Sequence, residues 1–155
     1  MRLTDALRGE HAILYEIFAG VRETLDESDE IAVIRTAVAL LERNLMSHAA
    51  IEDEILFPEL DTHIKGMGPL EMMRSEHQGI DEYLEAIRNE TDVAQLKKQT
   101  GQLLELAFNH FQKEEMALFG MAEQFLSEDE LTALGDKWAS RRKVDVQGQS
   151  CMAAS

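Results

Sequence analysis

Cysteine occurs once in the 155 residues, at Cys151, and proline only twice. A single cysteine excludes an internal disulfide framework and a cysteine-rich zinc or iron–sulfur site. No apolar run approaches the ~18–20 residues that span a bilayer, which excludes a membrane partner. The N-terminal stretch MRLTDALRGEH carries charges where a signal peptide would have its apolar core, so a cytoplasmic location is expected. Basic residues are scarce, 15 Lys and Arg against 30 Asp and Glu, for a formal charge of −15. A nucleic-acid partner would require excess cationic surface, so that class is also excluded. The length suits one domain, able to bury roughly two-thirds of its unfolded surface without covalent staples.

Strand-type alternation is missing as well, and a period of 3.6 residues dominates throughout, so the chain reads as all-α. A first helix is expected from about Thr4 to Asp26, capped by Thr4 or Asp5. A second runs from near Asp29 to Phe57, where Pro58 should kink or end it. Lys65-Gly66-Met67-Gly68 reads as a loop, and Pro69 suits the first position of a third helix that ends near Asn89. Thr91 or Asp92 caps a fourth, to about Gln124. Ser127 and Glu130 form a capping box for a short fifth helix that ends near Arg142. The expected organisation is a bundle over 1–126, a C-terminal helix over 127–143 and a disordered tail over 144–155. Long helices with short connections imply an up-down-up-down four-helix bundle.

The seams of this bundle can be traced in steps of three or four residues. Helix one offers Leu7, His11, Leu14, Phe18, Val21 and Leu25. Helix two offers Ile34, Val38, Leu41, Leu45, His48, Glu52 and Ile55. Helix three offers Leu70, Met73, His77, Ile80, Leu84 and Ile87. Helix four offers Leu103, Ala107, His110, Glu114, Ala117 and Met121. The chain also repeats itself. His48-Ala-Ala-Ile-Glu52 with Leu56-Phe57 returns as His110-Phe-Gln-Lys-Glu114 with Leu118-Phe119, at an offset of 62 residues. Glu10-His11 returns as Glu76-His77 at an offset of 66, so the halves should be related by a pseudo-twofold axis.

Four of the five histidines thus occupy one seam slot per helix, where Leu, Ile or Met would otherwise stand. Two glutamates follow one turn later. Acid at i+4 from histidine is weak as a signal by itself, because 30 of the 155 residues are acidic. The shared seam positions carry the argument instead. A buried unpaired carboxylate costs several kcal/mol, and no Lys or Arg lies on any seam. Metal ions supply the missing charge. Nitrogen and carboxylate donors without thiolate suit iron, manganese or zinc. Six groups, His11, His48, Glu52, His77, His110 and Glu114, exceed one tetrahedral zinc, whereas each Glu could bridge two ions. Helix lengths put the histidines within roughly 9 Å of a common depth. Asp81 and Tyr15 lie one residue off their seams, and His63, beyond Pro58 and without a mate in the repeat, reads as a surface residue.

These residues resemble the hemerythrin-like family, the HHE cation-binding domain, over about residues 4–124. The resemblance rests on His11, His48-x-x-x-Glu52, His77 and His110-x-x-x-Glu114, with Glu-Asp-Glu-Ile-Leu-Phe-Pro after His48. It implies a four-helix bundle whose six named residues ligate an oxo- or hydroxo-bridged, non-haem di-iron centre. It also implies a small partner: dioxygen, peroxide or nitric oxide. Oxygen-carrying members have a further histidine one turn before the third, where this chain has Met73. Water, Tyr15 or another carboxylate would fill that position, and reversible oxygen carriage gives way to a more open centre.

Three functions follow: handling of small oxidants, with catalysis left open; iron storage, delivery or cluster repair; and a metal-free structural bundle. Glu10 and Glu76, each beside a candidate ligand, are read as solvated helix-face residues, with an outer-sphere role as the alternative. Lys137, Arg141, Arg142 and Lys143 are read as favourable charges at a helix C-terminus, with docking of an acidic partner as the alternative. Trp138 is expected to pack against the bundle. A monomer or a homodimer is expected.

Overall fold

The computed structural model describes residues 1–64 and 68–146. Every regular element among them is helical. Helix α1 spans Leu3–Glu27, α2 Ile31–Ile51, α3 Phe57–His63, α4 Gly68–Asn89, α5 Val93–Lys113, α6 Phe119–Phe125 and α7 Glu128–Arg142. Helix α1 packs on α2 and α5, and α4 packs on α5 and α2, which closes the expected bundle. Helix α7 lies against α1. No helix among the described residues is long and apolar enough to cross a membrane. The expected loop residues Lys65, Gly66 and Met67, and the tail from 147 onward with Cys151, lie outside the described residues.

The caps bear out part of the reading. Asp92 accepts from the Gln95 N–H at 2.8 Å, and Ser127 with Glu130 completes a reciprocal box at the start of α7. At α1 the expectation fails. The helix begins at Leu3, with Arg2 before it and no side-chain cap, and Thr4 is buried in the first turn. The charge of the first turn is met instead by Arg2 pairing with Asp5 at 2.8 Å.

Pro58 does not end the helical run. Glu52–Leu56 forms a π turn, with the Phe57 N–H bonded five residues back to the Glu52 carbonyl, and α3 continues through Pro58. Glu114–Leu118 forms a second π turn, closed by Phe119 N–H on the Glu114 carbonyl. Gly120 stands there in the place of Pro58, so the wide turn belongs to the repeated His-x-x-x-Glu-x-x-x-Leu-Phe segment and not to proline. Each π turn admits one extra residue, and this shifts the seam beyond it. Leu56 and Leu118 are buried where Ile55 and Ala117 were expected, Ala122 replaces Met121, and Ala117 is exposed.

The apolar interior falls into two clusters. One gathers Leu3, Leu7, Ile51, Leu56, Phe57, Met73, Leu118, Phe119, Leu131 and Leu134. The other gathers Leu14, Phe18, Leu41, Leu45, Ile80, Leu84, Leu103, Ala107 and Phe111. Along every long helix the His or His/Glu position lies between members of these two clusters. The polar groups therefore form a single layer, sealed above and below by side chains that each contribute roughly 1.5–3 kcal/mol on burial.

Helix α7 approaches the chain start so closely that only glycine fits at 135. A Cβ there would stand 2.0 Å from the Met1 carbonyl oxygen. Gly135→Ala gains about 1 kcal/mol of helix propensity but must push residues 1–2 away, an overpacking cost of about 1–3 kcal/mol. The net loss of up to about 2 kcal/mol lowers the melting temperature by up to about 8 °C in a thermal scan. A rise would show that residues 1–2 yield without cost.

Candidate metal centre

His11 sits mid-helix in α1, His48 in the last turn of α2, His77 in α4 and His110 in the last turn of α5. Glu52 and Glu114 are the first residues of the two π turns. His11, His48, His110 and both glutamates are all at most 2% exposed, and the His77 side chain is 10% exposed. The ring nitrogens meet in pairs: His11 Nε2 and His48 Nε2 are 3.0 Å apart, as are His77 Nε2 and His110 Nε2. The structure therefore brings all six sequence-named residues together at one height.

The carboxylates stand between the two imidazole pairs. Glu52 Oε1 is 3.3 Å from His48 Nε2, and its Oε2 is 3.3 Å from His77 Nε2. Glu114 Oε1 is 3.2 Å from His110 Nε2, and its Oε2 is 3.3 Å from His11 Nε2. Each glutamate thus offers one oxygen to each half. Two donor sets result, His11/His48/Glu52/Glu114 and His77/His110/Glu52/Glu114, each with its ligand atoms within 4.8 Å of one another. None of the four carboxylate oxygens receives a well-directed hydrogen bond. Four fully buried acceptors left in this state are costly, and they are the donors that a pair of hard or borderline cations requires. The residues present fit a two-metal group.

The outer nitrogens of the rings are also engaged. His11 Nδ1 meets Glu115 at 2.8 Å, His48 Nδ1 meets Glu10 at 2.8 Å, His110 Nδ1 meets Glu76 at 3.0 Å and His77 Nδ1 meets Asp53 at 3.3 Å. A proton held at Nδ1 leaves the Nε2 lone pair for the centre, which is how ligating imidazoles are usually oriented. Glu10 and Glu76 are therefore not solvated helix-face residues. They lie at 16% and 15% side-chain exposure, because the helix face they occupy is covered by α2 with α7 and by α5. Asp53 and Glu115 were not singled out in the sequence. The repeat held the signal, since Asp53 and Glu115 are 62 residues apart, as His48 and His110 are.

The charges inside respond strongly to one another. Burial opposes the charged form of His48, but Glu52 and Glu10 overcome it and raise its pKa to about 10. Burial likewise opposes the charge on His110, and Glu114 with Glu52 raises it to about 9. Burial would raise Glu52, yet His48 and His77 hold it well below the carboxylate range. Glu10 is desolvated too, but hydrogen bonds from His48, Arg142 and Trp138 bring it down to about 2.

The remaining candidates fall outside the centre. The Tyr15 hydroxyl donates to Glu115 at 3.2 Å and so reaches the site only through that carboxylate. Met73 is buried in the apolar cluster that holds Leu3, Leu7 and Phe57. His63 is exposed, stacked near Phe125. The basic residues of α7 find partners within the chain: Lys137 with Glu59, Arg141 with Glu54 and Arg142 with Glu10. Trp138 packs on the bundle as expected and donates its indole N–H to Glu10 at 2.6 Å.

A buried layer of four imidazoles and two shared carboxylates in an all-α bundle defines a metal-binding helical protein. The family model of the hemerythrin HHE cation binding domain matches residues 2–122, and the chain belongs to that family. A DNA nickase from Nostoc sp. (strain PCC 7120) is 24% identical over 145 residues, 93% of this chain and 39% of the nickase. The iron-sulfur cluster repair protein YtfE from Enterobacter sp. (strain 638) is 39% identical over 57 residues, 36% of this chain and 26% of that protein. The chain thus spans well under two-thirds of the length of either relative. No solved structure matches significantly.

Proposed function

We propose that the chain is a non-haem di-iron protein that binds, senses or detoxifies small oxidants such as dioxygen, peroxide or nitric oxide. His11, His48, Glu52 and Glu114 would hold one iron, and His77, His110, Glu52 and Glu114 the other. Manganese or zinc are the competing ions that such donors admit. The observation that carries this reading is the pair of carboxylates with one oxygen turned to each half of the repeat. Four protein donors per ion are fewer than the six of octahedral coordination, so each ion would keep room for a small ligand and could change oxidation state.

This chain's own residues supply the rest. Glu10, Glu76, Glu115 and Asp53 orient the imidazoles and keep the proton on the outer nitrogen. The apolar clusters exclude bulk water. A cavity of about 190 Å³ reaches His48, His77 and His110 past Asp53, Glu54 and Asp81. That volume suits a diatomic molecule or peroxide and falls short of the ~300 Å³ at which drug-sized ligand pockets begin. The charge of −15 opposes a phosphate backbone, so the nickase name is not carried over.

The similarity to a cluster repair protein supports a second reading, iron storage or delivery, at the same residues. One experiment separates them. Protein purified without a tag is analysed for metal and its visible spectrum recorded, then exposed anaerobically to peroxide, nitric oxide and, separately, oxygen. About two irons per chain and a spectral change with iron retained favour oxidant handling. Ready loss of the iron to a chelator without such a change favours delivery. A metal-free chain, or one holding a single zinc, rejects both. The cytoplasmic location and the monomeric or homodimeric state belong to the same proposal.

A further inference from the structure

The repeat carries its symmetry out to the groups behind the ligands. Glu10 and Glu76 correspond at the offset of 66 and back His48 and His110. Asp53 and Glu115 correspond at 62 and back His77 and His11. The symmetry breaks in two places. Asp53 is one methylene shorter than Glu115; it meets its imidazole at 3.3 Å where Glu115 does so at 2.8 Å, and it is the more exposed, 46% against 31%. The second break is α7, whose Arg142 and Trp138 bond an outer carboxylate of one half, Glu10. Arg142 grips both oxygens of Glu10, Nε to Oε1 at 2.6 Å and Nη2 to Oε2 at 2.8 Å, and Trp138 donates to Oε1 at 2.6 Å. Arg142 also bonds the carbonyl of Ser47, next to His48, at 3.0 Å. Among the described residues the counterpart Glu76 has, besides His110, Lys113, whose ammonium is a point charge on a flexible, half-exposed stem. A planar guanidinium fork loses less freedom per bond than an ammonium does.

We propose that the two halves hold their ions unequally: α7, through Arg142 and Trp138, makes the His11/His48 position the slowly exchanging one, and the His77/His110 position is the exchangeable one. This rests on the two-ion reading above. Trp138 and Arg142 act as positioning residues. They fix Glu10, and Glu10 fixes the His48 ring. Solvent access agrees with this assignment. The 190 Å³ cavity reaches both imidazoles of the exchangeable position, His77 and His110, beside the exposed Asp53, but only His48 of the other pair. A larger cleft of about 500 Å³ on the α7 side is lined by Glu10, Trp138, Arg142 and His48, and so meets His48 on its Nδ1 side, away from the centre. The family match stops at residue 122, before α7, so this device belongs to the part of the chain outside it.

The test is anaerobic release of ferrous ions from the loaded full chain to an excess of coloured chelator. The wild-type protein should release one ion fast and one at least about tenfold more slowly. Arg142→Gln and Trp138→Phe should speed the slow phase by about 10- to 100-fold, the range typical of lost outer-shell partners, and leave the fast phase unchanged. Asp53→Glu, which restores the missing methylene, should slow the fast phase alone. Emission from Trp138, the single tryptophan, should follow only the slow phase. Circular dichroism of the metal-free variants checks that the bundle is intact. A single phase carrying both ions, or a slow phase untouched by Arg142→Gln, overturns the proposal. A wild-type chain that takes up fewer than two ions overturns instead the reading on which it rests.

Discussion

Replacing Glu114 by Ala is expected to empty both metal positions at once, so that the bound metal falls from two ions per chain to none. The two oxygens of Glu114 lie 3.2 Å from the nitrogen of His110 and 3.3 Å from that of His11, in opposite halves of the centre. Removing the carboxylate therefore takes a donor from each set. His48→Ala removes a donor from one set only, and one ion should remain. An ion held at a free concentration of 1,000 times its Kd adds about 4 kcal/mol to stability. At about 2–4 °C per kcal/mol, the loss of two such ions lowers the melting temperature of the metal-loaded protein by roughly 16–32 °C. Glu114→Gln keeps the shape of the side chain and separates loss of donor strength from loss of packing. Metal analysis of the dialysed variants, with melting curves at fixed free iron, makes the measurement. A Glu114→Ala protein that keeps one ion at wild-type affinity would show that this carboxylate serves one position only.

The metal-free protein is expected to lose stability as pH rises from about 6.5 to 10, while the loaded protein is not. His48 at about 10 and His110 at about 9 both lie above a solvated imidazole. The folded metal-free state therefore keeps protons that the unfolded chain has released. That contribution is complete below the unfolded value of about 6.5 and disappears as pH climbs through 9 and 10. Glu52, held low by His48 and His77 against its own desolvation, works in the other direction. Its contribution is present above the ordinary carboxylate value and is lost as pH falls below it. The metal-free protein should thus be most stable between about pH 4.5 and 6.5, with a loss toward pH 10 on the order of several kcal/mol. Metal reverses the trend, because ligating imidazoles must be neutral at Nε2. Loading at pH 7 should release protons, and affinity should climb with pH. Melting curves of chelator-treated and loaded protein across this range, with an indicator dye during loading, test both halves. A metal-free melting temperature that stays flat from pH 6.5 to 10 would mean that the imidazoles are neutral already.

The buried carboxylates explain why these effects are large. Glu52 and Glu114 are fully enclosed and lack well-directed hydrogen bonds. Without metal, the raised imidazoles of His48 and His110 stand beside them and offset their charge. Ions would replace this compensation by protons with a stronger one, and the outer carboxylates Glu10, Glu76, Glu115 and Asp53 would balance the positive charge added.

Much of this was legible in one dimension. The period of 3.6 residues set the long helices, because helical hydrogen bonds are local and an apolar stripe needs only its own spacing. The same period put His11, His48, His77 and His110 in seam slots and Glu52 and Glu114 one turn further on. Asp92 and the Ser127–Glu130 box could be identified as caps for the same reason. What the period could not supply was the π turn. An extra residue per turn costs little to write and is decided by what the Glu carboxylates and the Leu-Phe pair must meet across the bundle. The seam therefore moved from Ile55 and Ala117 to Leu56 and Leu118.

Tertiary structure alone decided the groups behind the ligands. Glu10 and Glu76 looked like ordinary surface acids, since residues at i and i−1 face different directions and nothing local says what covers the second. Their partners come from other helices, up to 132 residues away in the case of Arg142. The basic end of α7 was equally ambiguous until Glu10, Glu54 and Glu59 were found beside it. Spacing along a helix determines which side chains share a face; only the packing of one helix on another determines which charges meet, because that depends on distances no local rule contains.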